Sequence, residues 1–267
     1  MAATPEYFHL DVLGHRLRAA AWRRDGRWQP GRPVLVFLHE GLGCIEFWRD
    51  FPARLGQTLG LDAFAWDRLG YGGSDPLDYT RTPAYLHHEA HDWMPAALDA
   101  AGLSDVILVS HSDGGSVALL YAARHPVRAC VTMAAHAFVE PHTLAGIAAA
   151  ERAFAETDLP AKLARYHGDK TETIFRAWTQ TWQAPDFRDW NIEADLAGIH
   201  APTLVMQGAD DEYGTSEQVR RIAAACSGPA EQALLPGCGH TPYREAPETV
   251  IAEIEAFLNR HDIPGPR

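Results

Sequence analysis

Cysteine is scarce: Cys44, Cys130, Cys226 and Cys238 are the only four in 267 residues. Their spacing shows neither pairs nor a metal-ligand pattern, which excludes a disulfide-built scaffold and a cysteine zinc site. Thiols of this kind pack in a reducing compartment, so the expectation is a cytoplasmic protein. Positive charge is also short, with 23 Lys and Arg against 35 Asp and Glu and a formal net charge of −12. Such a chain does not attract nucleic acid or anionic membranes electrostatically. No apolar run approaches the roughly 18 residues needed to span a bilayer, and the N-terminal stretch lacks a signal-peptide core. Internal repeats and low-complexity segments are missing too. Gly41-Leu42-Gly43 and Gly70-Tyr71-Gly72 lack the third glycine of a dinucleotide fingerprint, and no phosphate loop occurs. The expected partner is therefore a small-molecule substrate, with no cofactor and no metal, bound by a monomer or homodimer.

What is present is an alternation of short apolar runs with helical patterns. Pro33–Leu38, Leu61–Trp66, Val106–Val109, Val127–Ala135, Thr203–Gln207 and Ala230–Leu235 read as strands. Helical spacing falls between them, as at Phe47, Phe51, Leu55 and Leu59, across 83–101, and from Pro247 onward with Val250, Ile254 and Phe257 inward. Tyr7–Trp22 reads as two strands turning near Gly14, an antiparallel edge. Alternation of this kind implies an α/β fold with a mostly parallel central sheet and helices on both faces. The pattern lapses over 137–199. There Phe154, Tyr166, Phe175, Trp178, Trp182, Phe187 and Trp190 recur at helical intervals with no convincing strand. This stretch is expected to be a small helical cap inserted into a core of 1–136 and 200–267. Its aromatics pack first on one another and on the core, and the remainder line a pocket. Thr215-Ser216-Glu217-Gln218 fits a capping box at the next helix start. His87, His88, Glu89 and His91 are expected to form a solvated helix face, since H-H-E-x-H is not the metalloprotease spacing.

The chemistry concentrates at Ser110-His111-Ser112-Asp113-Gly114-Gly115, where the Val106–Val109 run breaks and a helical pattern begins. A serine on a sharp strand-to-helix turn, flanked two residues either side by small residues, is a nucleophile-elbow pattern. The turn lifts the Ser112 hydroxyl above the sheet and sets it at a helix N-terminus, which favours developing negative charge. A serine needs a histidine to take its proton and a carboxylate to orient that histidine. Among fourteen histidines, His240 sits on a Gly-rich loop before the last helix. The acid comes from Asp210-Asp211-Glu212, where position in the loop favours Asp211, then Asp210, then Glu212. Two N–H donors must face the oxyanion, one from Asp113 and one from the loop after Val34–Leu38, where Gly41 lets the backbone approach closely. Glu40 in that loop is unexpected, because a carboxylate near a developing oxyanion opposes it unless turned away or paired.

These motifs resemble the α/β-hydrolase fold family. His39-Glu40-Gly41-Leu42-Gly43 is similar to its HGGPG-type oxyanion loop, with Glu40 in place of the first glycine of the pair. Asp67–Ser74 resembles its D-x-x-G-x-G-x-S segment, and Gly208-Ala209-Asp210-Asp211 its G-x-x-D, which favours Asp211 as the acid. Gly239-His240 with Glu245 and Pro247 resembles its G-H-x-x-x-x-E-x-P ending. In relatives that use an aspartate nucleophile, one residue separates it from a Gly-Gly pair; here that residue is Asp113, so the likeness implies Ser112 as the nucleophile. The resemblance implies a serine hydrolase with a triad of Ser112, Asp211 and His240 and an oxyanion hole of Gly41 and Asp113. Glu40, His136 and Trp178 are then the candidates to touch substrate. The first expectation is cleavage of a carboxylic ester or thioester of a small, fairly apolar or aromatic acyl group. The alternatives are hydrolysis of a carbon–carbon bond in a ring-cleavage product, which Thr241-Pro242-Tyr243 after the histidine disfavours, or a non-catalytic small-ligand receptor on the same fold.

Overall fold

The computed structural model describes residues 4–29 and 31–263. Among the described residues, eight strands form one sheet: β1 (Glu6–Val12), β2 (His15–Trp22), β3 (Val34–Leu38), β4 (Ala63–Trp66), β5 (Val106–His111), β6 (Ala129–Met133), β7 (Thr203–Gly208) and β8 (Ala230–Leu235). Their spatial order is β1-β2-β4-β3-β5-β6-β7-β8. β1 and β2 pair as an antiparallel hairpin, β2 is antiparallel to β4, and every later pairing is parallel. This is the α/β-hydrolase fold.

The continuous apolar runs make sense because each central strand is covered on both faces. Along β3, Val34, Val36 and Leu38 enter one core while Leu35 and Phe37 enter the other, and β5 alternates in the same way. The second core packs under α1 (Phe51–Leu59) and the last helix. The first packs under the helices that follow β4, β5 and β7. Between β4 and β5 the expected single helix is interrupted: α2 (Tyr85–His88) and α3 (Met94–Ala100) flank a π-turn at Glu89–Trp93. The π-turn turns Glu89 inward to lie 3.9 Å from Arg68, so this carboxylate is buried, not part of a solvated face. α4 (Asp113–Ala122) follows β5 and is buried along its whole length.

After β6 come α5 (Pro141–Glu156), α6 (Leu159–His167), α7 (Thr171–Gln183) and α8 (Glu193–Leu196). Among the described residues, the only β pairing in this stretch is one bridge, Phe138 to Asn191. Phe154 stacks on Phe175 and Phe187 on Trp190. Tyr166 departs from the expected packing and is 42 % exposed, with its ring against Phe47. α9 (Ser216–Ala225) does not start with a capping box. The Thr215 hydroxyl accepts from Glu217 N–H, while Gln218 reaches instead to Phe138 and Glu140. Gln218 is buried and ties the segment leaving β6, and burial overrode the local capping preference. α10 (Pro242–Glu245) and α11 (Pro247–Arg260) close the chain. All four cysteines are free thiols, and Cys44, Cys130 and Cys238 are buried. Among the described residues, no helix is long and apolar enough to cross a membrane.

Candidate active site

Ser112 stands between β5 and α4 with φ 52° and ψ −121°, a conformation costly for a residue with a side chain. Its surroundings hold it there. Ser112 N–H donates to Met133 of β6, and the Ser110 hydroxyl donates to the Val131 carbonyl. Glycine is required at position 114, because a Cβ there would lie 2.2 Å from the Leu38 carbonyl oxygen. β3 and α4 therefore touch backbone to backbone, and the loop after β3 is pressed against the elbow.

His240 Nε2 lies 3.0 Å from Ser112 Oγ, and His240 Nδ1 lies 2.8 Å from Asp211 Oδ1. The carboxylate only accepts, so Nδ1 carries the proton and Nε2 is free to take the serine's. Asp211 Oδ1 is steadied by the N–H groups of Tyr213 and Gly214. Of the three acids in the loop, only Asp211 reaches the ring. Glu212 instead accepts from the His240 backbone N–H at 3.2 Å, and Asp210 is exposed. Burial pulls the His240 ring down, but the Asp211 hydrogen bond and charge more than offset this and leave it above the ordinary imidazole value. Burial likewise pushes Asp211 up, and its hydrogen bond with His240 brings it below the ordinary carboxylate value. The glutamate of the G-H-x-x-x-x-E pattern has a plain structural task. Glu245 accepts the N–H groups of Gly239 and Thr241, on either side of His240.

Two peptide groups are oriented by what holds their carbonyls. The Glu40 carbonyl receives His39 Nδ1–H at 2.8 Å, Arg68 at 3.0 Å and Gly43 N–H at 3.1 Å. A planar trans peptide points its N–H opposite its carbonyl, so Gly41 N–H is directed away from Arg68. The Ser112 carbonyl accepts from Gly115 and Ser116 along α4, which turns Asp113 N–H back toward the elbow. A Cβ at Gly41 would meet Trp178 at 2.8 Å. The Asp113 side chain is buried and accepts from Tyr85 Oη, which itself accepts Trp182 Nε1–H.

These groups surround a cavity of about 100 Å³ that includes Glu40, Gly41, Ser112, Asp113, His136, Trp178 and His240. The three residues expected near substrate thus all line it. α5 contributes Thr143 and Ile147 and α7 contributes Trp178 and Trp182, each pair four residues apart on one helix face. Tyr213 completes the wall with its ring 4.6 Å from that of His240. Sequence reasoning missed Thr143, Ile147, Tyr213 and this use of Trp182. The fourfold spacing showed inward faces without showing which would meet the cavity. His136 donates Nε2–H to the Tyr213 carbonyl, and burial and the neighbouring His240 hold it below the ordinary imidazole value. Glu40 Oε2 lies 3.3 Å from His111 Nδ1. Burial pushes the Glu40 carboxyl up, but His111 more than compensates and keeps it below its ordinary value. A larger groove of about 680 Å³ runs along the far face of α7 and is not lined by Ser112 or His240. Cys44, Glu46 and Asp67 come within ligand reach of one another, but Arg18 already pairs with both carboxylates.

The model of the alpha/beta hydrolase family matches residues 35–253, and the chain belongs to that family. It is 26% identical to epoxide hydrolase A of Mycobacterium tuberculosis, over 93% of this chain and 96% of that one. It is also 26% identical to 2-hydroxy-6-oxo-2,4-heptadienoate hydrolase of Pseudomonas putida, over 87% of this chain and 91% of that one. Among solved structures, the enol-lactonase from Burkholderia xenovorans superposes with a TM-score of 0.71 at 20% identity, covering 94% of this chain and all (100%) of the other. The chain is thus a hydrolase by family, and the substrates of these relatives differ from one another.

Proposed function

We propose that the protein is a serine hydrolase that cleaves a carboxylic ester or thioester of a small, fairly apolar or aromatic acyl group. The observation that carries this reading is His240 Nε2 at 3.0 Å from Ser112 Oγ, with Asp211 at 2.8 Å on the far side of the ring. In this mechanism Ser112 attacks the acyl carbon while His240 takes its proton, and Gly41 and Asp113 N–H groups stabilise the tetrahedral oxyanion. His240 then protonates the leaving group, and water activated by the same ring releases the acid. The nature of the nucleophile supports an acyl substrate over an epoxide. A serine oxygen that opened an epoxide would form an ether, which water cannot cleave there, whereas attack on a carbonyl forms an ester that it can. The cavity of about 100 Å³ is below the usual range for drug-sized ligands, which supports a small substrate. Residues 137–199 act as a cap, with Trp178 and Trp182 forming its apolar ceiling.

The dienoate hydrolase relative favours a second reading, in which the same serine cleaves a carbon–carbon bond next to a carbonyl. Intact-mass labelling with a fluorophosphonate, on wild type and Ser112→Ala, is the first experiment. A single adduct lost in the variant supports the serine mechanism. Folded wild type that takes no adduct sinks it and leaves a binding role on the same fold. Release of thiol from acyl-CoA panels, turnover of short esters, or bleaching of a coloured dienoate then separates the substrate classes.

A further inference from the structure

His111 occupies the position just before the nucleophile, and its side chain is 1% exposed. Its Nε2 lies 2.7 Å from the backbone carbonyl of His240. A carbonyl oxygen only accepts, so that nitrogen carries a proton. The other nitrogen, Nδ1, then faces Glu40 Oε2 at 3.3 Å. A bare ring lone pair against a carboxylate oxygen in a buried site is repulsive, so a further proton belongs between them. We propose that Glu40 and His111 share that proton as a neutralised pair beneath the oxyanion loop, making His111 a positioning residue that cancels the Glu40 charge beside the reacting centre.

The packing leaves room for this contact, and among the described residues Glu40 Oε2 and His111 Nδ1 are both buried with no other hydrogen-bond partner. A Cβ at Gly43 would lie 2.4 Å from Glu40 Oε2, so Gly43 leaves the space that the folded-back carboxylate fills. Ionisable groups approach from each neighbouring element. His240 stacks 5.0 Å from the His111 ring, and Tyr243 of α10 lies 5.2 Å away edge-on. The His240 ring is already paired with Asp211, and burial keeps the Tyr243 hydroxyl neutral, so Glu40 is the charge that directly faces His111. Glu40 and Ser112 line the same cavity, which is why an uncancelled carboxylate there would oppose an oxyanion. His111 also supports the carbonyl of His240, so the pair connects the oxyanion loop with the histidine loop.

Only the consequence for rate rests on the serine-hydrolase reading, and two measurements separate that from the proton itself. The first is the imidazole ¹⁵N spectrum of the whole protein at pH 7. The expected result is a histidine with both ring nitrogens protonated that disappears in Glu40→Gln and in His111→Gln. Its absence from wild type, or its persistence in both variants, overturns the proposal whether or not the protein has hydrolase activity. The second is the rate of fluorophosphonate capture by Ser112. His111→Gln keeps a donor for the His240 carbonyl but leaves Glu40 bare, and should slow capture about tenfold or more. Adding Glu40→Gln to it should restore most of that loss. A double variant as slow as His111→Gln would mean that His111 is merely structural and would overturn the positioning role. If His111→Gln does not fold, the spectra of wild type and Glu40→Gln decide alone.

Discussion

In the proposed mechanism His240 must be neutral to take the Ser112 proton, yet Asp211 stabilises its charged form. Its ring is therefore held above the ordinary value of 6.5 despite its burial. The neutral base appears only as pH rises through that raised value, so kcat/KM should climb with pH along an acid limb centred above 6.5. Asp211→Asn removes the negative charge that helps to raise the ring, while its amide oxygen can still accept. It should move the limb downward and reduce kcat by about 10³–10⁴-fold. A pH–rate profile of both proteins with one ester substrate checks this, and an unmoved limb would assign it to another group. At Gly41 the margin is steric. Gly41→Ala places a methyl 2.8 Å from Trp178 and 3.2 Å from Asp113 Oδ2, so either the Trp178 ring or the loop with its N–H must give way, and the prediction is for the loop. The expectation is a fall in kcat of about 10²-fold from the loss of one oxyanion donor, read by steady-state kinetics.

Elements meet here through small contacts that fix loops. Gly114 lets α4 start directly against the end of β3, and Gly114→Ala would drive a methyl into the Leu38 and His39 carbonyl oxygens at 2.2 and 2.6 Å. Backbone oxygens cannot rotate away as a side chain can. Urea unfolding should show a loss of about 3 kcal/mol. Glu245 is different, since it is exposed and only ties down two N–H groups of the histidine loop. Glu245→Ala should leave stability within about 1 kcal/mol of wild type while lowering kcat more than it changes KM. Equal losses in both parameters would argue against a loop-positioning role. The strand, elbow and histidine-loop motifs were readable because turn residues and apolar runs are local signals. The capping box at Thr215 and the solvated face at Glu89 were misread for one reason. In each case a buried partner far along the chain, Glu140 or Arg68, competed successfully with the local arrangement.

Across the whole molecule, acid should be felt first through buried histidines that the fold keeps neutral. His39 donates Nδ1–H to Glu40 and accepts Arg68 N–H at Nε2, so an added proton would meet another donor. His167, on the helix between β6 and β7, accepts Gly72 N–H at Nδ1 and donates Nε2–H to the Leu42 carbonyl. Burial pulls both rings down, His39 well below 6.5. A lowered folded value means that the unfolded chain takes up the protons first. The stabilisation is thus complete above pH 6.5 and lost as pH falls below it, by up to about 1.4 kcal/mol per pH unit for each ring. Urea unfolding at pH 7 and pH 5 should show this fall, and His167→Gln should make it shallower. A pH-independent midpoint over that range would contradict the assigned tautomers.

Local pattern by itself determined the alternating α/β architecture, the elbow at Ser112, the histidine loop and the helical character of 137–199. Those depend on periodicity, turn chemistry and residue order, all of which a chain carries in its own neighbourhood. Tertiary structure alone decided that Glu212 meets the His240 backbone rather than its ring, and that Glu40 Oε2 lies 3.3 Å from His111 Nδ1. It also decided which residues of α5 and α7 wall the cavity. Each of these outcomes depends on distances of a few ångströms between groups far apart in the chain, set by how the helices and loops pack across the sheet. Neither periodicity nor composition encodes such distances.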